Sequence, residues 1–190
     1  MSHDRLRLAI VIGSTREGRV APTVARWFTG RAEEHGDMDV DVLDLAEAPP
    51  PARLTNEPPP EVTALTPRLA AADAYVIVTP EYNHSFPASL KSAIDWHFAE
   101  WQAKPIGFVS YGGMAGGLRA VEHLRQVFAE LHAMTVRDTV SFHGVHEAFD
   151  ADGRARRPEG CDAAAKAMLG QLAWWGRALR EAKSRQPYTG

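Results

Sequence analysis

The amino-acid sequence predicts a doubly wound α/β domain, a three-layer sandwich built on a five-stranded parallel sheet of order 2-1-3-4-5. Three observations lead there. Short runs of branched apolar residues recur along the chain, each ended by glycine, proline or a polar loop. Helical periodicity fills the intervals between them. The connections are too long for hairpins, and parallel strands require such crossovers, which are almost always right-handed. With 190 residues the chain reads as one domain over 1–190.

The elements follow in order. Leu6 to Ile12 is apolar but for Arg7, rich in branched residues and stopped by Gly13, the pattern of a strand buried on both faces. Val20 to His35 carries apolar residues at Val20, Val24, Trp27, Phe28 and Ala32, a helical period, with Pro22 in the first turn where its missing N–H costs nothing. Met38 to Leu45 alternates and predicts a half-buried strand near an edge. Leu69 to Asp73 closes a second helix, and Ala74 to Thr79 is a strand stopped by Pro80. A helix over Ala88 to Phe98, a strand over Pro105 to Ser110, a helix over about Gly117 to His132, a fifth strand over Met134 to Phe142 and a long helix over Cys161 to Lys183 complete the alternation. Two stretches break the rhythm. Ala46 to Pro60 holds six prolines and predicts an extended loop, and Gly144 to Gly160 predicts a polar surface excursion.

Composition narrows the function classes. A hydrophobic share of 45% and a charged share of 24% are those of an ordinary soluble protein. A formal net charge of −3 gives no basic field to attract nucleic acid. The apolar run near the start is too short to span a bilayer, so no membrane partner is expected. One cysteine, Cys161, excludes an internal disulfide framework and suits a reducing compartment, so the expected location is cytoplasmic.

In an open parallel sheet of this order, ligands bind beyond the carboxyl ends of strands one, three and four. The loops at those positions are distinctive. Gly13-Ser14-Thr15-Arg16-Glu17-Gly18-Arg19 combines hydroxyls, guanidinium groups and the free N–H groups of a helix N-terminus, which together suit a phosphate. The plain alternative is a strand-to-helix turn capped by Ser14 or Thr15. No G-x-x-x-x-G-K-[ST] lysine is present, which argues against a nucleoside triphosphate loop. Thr79-Pro80-Glu81-Tyr82-Asn83-His84-Ser85-Phe86-Pro87 is stiffened by prolines and offers aromatic and amide groups to a planar ligand. Ser110-Tyr111-Gly112-Gly113-Met114-Ala115-Gly116-Gly117 lets backbone N–H groups approach a ligand edge. It lacks the acidic residue that completes a dinucleotide fingerprint.

Other candidates read more plainly. His143 and His146 have no carboxylate or thiol at ligand spacing. Asp150-Ala151-Asp152-Gly153 opens like a calcium loop but lacks the closing glutamate, and reads as a polar turn. Cys161 has no base placed beside it by sequence, and Trp174 and Trp175 read as core or subunit contacts.

Taken together, the three loops resemble those of the NADPH-dependent FMN reductase family, which includes quinone, azo-dye and chromate reductases. The most specific match is Pro80-Glu81-Tyr82-Asn83 followed by Pro87-Ala88-Ser89-Leu90-Lys91-Ser92-Ala93-Ile94-Asp95-Trp96, and the likeness runs from about Leu6 to Val140. The resemblance implies a flavodoxin-like fold, FMN as cofactor and NADPH or NADH as electron donor. It implies that Ser14 and Arg16 hold the phosphate with help from Arg19, Val20 and Ala21. Pro80, Glu81, Tyr82 and Asn83 would border the ring and ribityl chain. The Ser110-Tyr111-Gly112-Gly113 segment would lie along the pyrimidine edge. Where many relatives carry further Ser or Asn residues after the arginine, Gly18, Arg19 and Val20 stand here. The resemblance further implies ping-pong hydride transfer to small-molecule acceptors, no catalytic side chain, and a homodimer or dimer of dimers. The competing class is a flavodoxin-like electron carrier, against which the charge of −3 gives little basis for protein docking.

Overall fold

The computed structural model describes residues 5–189. Strands β1 (Leu6–Ile12), β2 (Met38–Asp44), β3 (Ala74–Pro80) and β4 (Pro105–Tyr111) form a parallel sheet with β5 (Met134–Thr135) in the order β2-β1-β3-β4-β5, and β6 (Val140–Phe142) also pairs with β4. Helices α1 (Ala21–His35), α2 (Pro60–Ala71), α3 (Ala88–Asp95), α4 (Leu118–Glu130), the short α5 (Val145–Ala148) and α6 (Pro158–Arg185) supply the crossovers and outer layers.

The period of two along each strand sends alternate side chains to opposite cores. Leu6, Leu8, Ile10 and Ile12 of β1 pack with Val24 and Phe28 of α1 and Met168 and Leu172 of α6. Ala9 and Val11 face the other way, with Leu69 of α2, Ile94 of α3 and Phe128 of α4. Every residue of β3 and β4 is buried, whereas β2 alternates imperfectly, as an edge strand should.

Three boundaries differ from the sequence reading. The continuous fifth strand expected over Met134 to Phe142 is split into β5 and β6. Pro105 faces Met134 but Val109 faces Val140, so four steps on β4 correspond to six on the outer edge. The Arg125 guanidinium takes the carbonyls of Val136 and Arg137 at 2.8 and 3.0 Å, and Gln171 binds Asp138 through both backbone N–H and carboxylate, so the break satisfies its own polar groups. The excursion expected over 144–160 contains α5, and α6 starts at Pro158, its first-turn proline, ahead of Cys161. The proline-rich segment is a loop as expected, ending where Pro60 opens α2, and the Trp96 indole N–H holds it by donating to the Pro51 carbonyl at 2.8 Å.

Close packing of α6 on the sheet depends on a missing side chain. A Cβ on Gly107 of β4 would lie 2.8 Å from the Met168 sulfur and 3.1 Å from Leu172 Cδ1. Gly107→Ala should therefore cost about 1–3 kcal/mol by overpacking. Gly170→Ala, on the exposed side of α6 with no atom within 4 Å, should instead stabilise by about 0.5–1 kcal/mol through helix propensity. Urea unfolding of both variants checks this, and shifts of the same sign would contradict the packing account.

Candidate functional site

At the carboxyl ends of β1, β3 and β4 lies a cleft of about 310 Å³. Its floor and first wall come from the loop after β1. Gly13 is seated by its N–H bond to the Val78 carbonyl at 2.9 Å, and its lack of a Cβ admits Leu90 of α3. The Ser89 hydroxyl donates to the Gly13 carbonyl at 2.7 Å. Ser14 is fully buried and shares a hydrogen bond of 2.9 Å with the Tyr82 hydroxyl, which ties the first loop to the second.

The two arginines of that loop have separate situations. Arg19 reaches Asp44 at the end of β2 with two parallel bonds of 2.6 Å and also donates to the Ser14 carbonyl at 2.7 Å. Both side chains are largely shielded, at 17% and 15% exposure. Burial pushes the Asp44 carboxyl upward, but the Arg19 hydrogen bonds and the Ala46 N–H outweigh it and hold the group below the usual carboxylate range. Asp44 in turn raises Arg19. Arg16 is exposed and has no partner among the described residues. Among those residues, too, no backbone N–H from Thr15 to Gly18 donates a hydrogen bond. Gly18, at φ 65°, makes the turn that presents them. The loop has the unengaged donors that an anion site requires, and Arg19 and Asp44 hold it from behind.

The second wall is the segment after β3. Tyr82 and Ser85 exchange backbone bonds of 2.8 and 3.0 Å around Asn83 and His84, both at positive φ (48° and 69°). This is a type I′ turn, which asparagine tolerates well. Pro80, Glu81 and Tyr82 line the cleft, while Asn83 is exposed at the turn tip and does not. Glu81 accepts the Arg119 guanidinium at 2.8 Å and the Arg119 backbone N–H at 3.1 Å, joining this wall to the start of α4. Burial pushes the Glu81 carboxyl upward, but the Arg119 bonds overcome it and hold it low.

The third wall is the glycine-rich loop. Gly116 and Gly117 have φ of 60° and 85°, and a Cβ on Gly117 would stand 2.6 Å from Ser110 Cβ. Ser110 is fully buried and donates to the Gly116 carbonyl at 2.8 Å, so it braces the loop and does not line the cleft. Ser141 of β6 donates to the same carbonyl at 2.7 Å, and His143 Nδ1 donates to the Met114 carbonyl at 2.8 Å. Gly112 and Gly113 line the cleft, and a Cβ on Gly113 would meet nothing within 4 Å. The N–H groups of Gly113 and Met114 have no acceptor among the described residues. The Tyr111 hydroxyl is buried in the cleft wall near Ser14 without a well-formed hydrogen bond, and burial pushes its phenol well above the ordinary range.

Of the sequence-derived candidates, Ser14, Arg16, Arg19, Val20, Pro80, Glu81, Tyr82, Tyr111, Gly112 and Gly113 converge on the cleft. Ala21 is buried at the start of α1, and with Asn83 and Ser110 it lies off the lining. Glu17, Gly18, Val145 and His146 line the cleft and were not among the binding candidates. Gly144, at φ 56°, turns the chain after β6 and aims Val145 and His146 there. A fourth bordering loop could have been read from that glycine after the last strand. Among the described residues no group of histidine, cysteine and acidic side chains could hold a metal. Burial, with Asp162 adding to it, raises the Cys161 thiol, which disfavours the thiolate.

Comparison with known proteins agrees with this geometry. An NAD(P)H-dependent FMN reductase of Schizosaccharomyces pombe is 33% identical over 122 residues, 58% of this chain and 60% of that one. A quinone reductase of Escherichia coli is 36% identical over 151 residues, 75% of this chain and 79% of its own. In structure, the flavoenzyme NAD(P)H:(acceptor) oxidoreductase FerB of Paracoccus denitrificans superposes with a TM-score of 0.74 over 91% of this chain and 98% of that one, at 21% identity, which establishes the shared fold. Residues 6–147, from the first strand through the fourth bordering loop, match the family described as NADPH-dependent FMN reductase, and the chain belongs to that family.

Proposed function

We propose that the protein is an NAD(P)H-dependent oxidoreductase that holds FMN in this cleft and reduces flavins, quinones or similar small acceptors. The observation that carries the reading is the meeting, in one cleft, of an anion cradle, an aromatic wall and an open glycine edge.

The residues present fit FMN. The unengaged N–H groups of Thr15 to Gly18 and the unpaired Arg16 match a phosphate. The orphan Tyr111 hydroxyl can gain a partner from a polar ligand, and the space beside Gly113 admits a ring edge. Bound FMN supplies the capacity to take two electrons from a nicotinamide and pass them to an acceptor. The chain's own part is binding and electrostatics. Arg19 holds the cradle from behind and leaves Arg16 to meet the ligand. Tyr82 fixes the wall through Ser14. The N–H groups of Gly113 and Met114 can stabilise negative charge that develops along the ring edge. Ser110 and Asn83 contribute shape, one by bracing the glycine loop and the other by closing the tight turn.

Donor and acceptor use the same open face in turn. We place the enzyme in the cytoplasm, which its single cysteine suits, and among the described residues no helix is long and apolar enough to cross a membrane. We also propose a homodimer or dimer of dimers. Met114, Leu118 and Phe98 support it as exposed apolar side chains beside the cleft and on the neighbouring α3 side.

Arg16→Ala should weaken FMN binding about tenfold to a hundredfold, the loss of one charge-assisted contact of about 1.5–3 kcal/mol. Riboflavin, which lacks the phosphate, should bind both proteins alike, and equal losses would remove the phosphate role. NADPH added to the FMN-loaded protein without oxygen should bleach the visible band, quinone should restore it, and initial rates should give parallel double-reciprocal lines. Bleaching no faster than that of free FMN would favour an electron carrier. Light scattering at micromolar concentration should give a multiple of the 20.8 kDa chain mass, and the mass of one chain would end the oligomer proposal.

A further inference from the structure

A cavity of about 590 Å³ is next to the cofactor cleft and shares His146 with it. It lies between the end of β6, α5, the loop that follows α5 and the first turn of α6. Its volume falls in the range of roughly 300–1,000 Å³ usual for small-molecule sites. Its lining is basic although the chain as a whole carries −3. Arg156, Arg157, His143 and His146 face it, against one carboxylate, Glu147.

The guanidinium groups are available. Arg156 is positioned by its backbone N–H to the Ala148 carbonyl at 2.9 Å and its Nε–H to the Phe149 carbonyl at 3.1 Å, which leaves both terminal nitrogens uncommitted. Arg157 has no partner among the described residues. The nearby acids are engaged elsewhere: Asp150 accepts the N–H groups of Asp152 and Arg154, and Asp152 pairs with the Arg154 side chain. Arg157 is also the N-cap of a helix of 28 residues with no side-chain cap, whose positive end faces the arginines and is offset in part by Glu159 in the first turn. His143, on the rim, donates to the Met114 carbonyl and thereby joins this cavity to the glycine loop of the cofactor cleft.

A basic cavity of nucleotide size, bordering the cofactor cleft at His146 and bonded to its glycine loop through His143, suits the remote half of the donor. We propose that it receives the adenosine end of NADPH, with Arg156 and Arg157 gripping the 2′-phosphate. Forked guanidinium groups are well matched to a phosphomonoester. This rests on the reductase reading and deepens it, because it assigns the choice between NADPH and NADH to a site outside the flavin cleft.

The probe is 2′,5′-ADP, which carries the 2′-phosphate and no nicotinamide, titrated into the FMN-loaded protein by calorimetry beside ADP. Wild type should bind 2′,5′-ADP at least about tenfold more tightly than ADP, and Arg156→Ala/Arg157→Ala should erase that preference. Retained FMN, measured by fluorescence after release, reports that the variant is folded. If the double variant loses its flavin, Arg157→Ala alone serves, since Arg157 makes no side-chain hydrogen bond or ion pair among the described residues. Equal affinity of wild type for the two nucleotides, or an unchanged preference in the variants, overturns the proposal. Neither result depends on turnover, so failure here leaves the reductase reading to the separate bleaching experiment.

Discussion

Burial of the central strands on both faces is the constraint from which the rest of the molecule follows. Every side chain of β3 and β4 is enclosed, so helices must cover both sides of the sheet and the strands themselves can carry almost no exposed chemistry. Their two aliphatic hydroxyls stand near the carboxyl ends and are satisfied locally: Thr79 donates to the Pro80 carbonyl and Ser110 to that of Gly116. Polar groups able to meet a ligand are displaced to the loops beyond those ends. The cleft forms there because three such loops leave neighbouring strands together.

Each loop is then held by a tie to a different element, so that its ligand-facing groups need not hold themselves. The first is tied to β2 through Arg19 and Asp44, the second to the first through Tyr82 and Ser14, and the glycine loop to β6 through Ser141. The bidentate Arg19–Asp44 pair is shielded and forked, the geometry in which an ion pair contributes most. It also divides labour between two arginines three positions apart. One spends its donors inside the protein, and the other has none engaged among the described residues.

Much of this was legible in the sequence where the signal is local. Strands β1, β3 and β4 are apolar runs interrupted only by Arg7, Thr79 and Ser110, and the three loops stand out because glycine, proline and hydroxyl residues crowd positions that topology makes functional. What was hidden depends on distant partners. Nothing near Arg19 reveals that Asp44, on the next strand, will claim it. The division of the outer strand was masked because Met134 and Val136 before Arg137-Asp138-Thr139, and Val140 and Phe142 after it, keep the same period of two, while Arg125 and Gln171, from two other helices, satisfy the gap. The type I′ turn gives Asn83 a conformational role at a place where its amide had suggested a ligand contact. His143 and His146 read as an idle pair because their setting comes from the turn at Gly144, which puts His146 between two cavities and His143 in the wall of one.

The broken outer edge has a consequence for how copies of this chain can meet. A sheet margin is a row of unspent donors and acceptors, and a long flat one invites a neighbouring chain to add a strand. Here one margin is cut into pieces of two and three residues, with the intervening carbonyls already taken by a guanidinium. The opposite margin, β2, carries Asp39 and Asp41, each paired with an arginine. Neither side offers a run on which a foreign strand could register. Any association between copies is thereby steered to the helical surfaces and away from extension of the sheet, and the same two margins disfavour stacking into fibres.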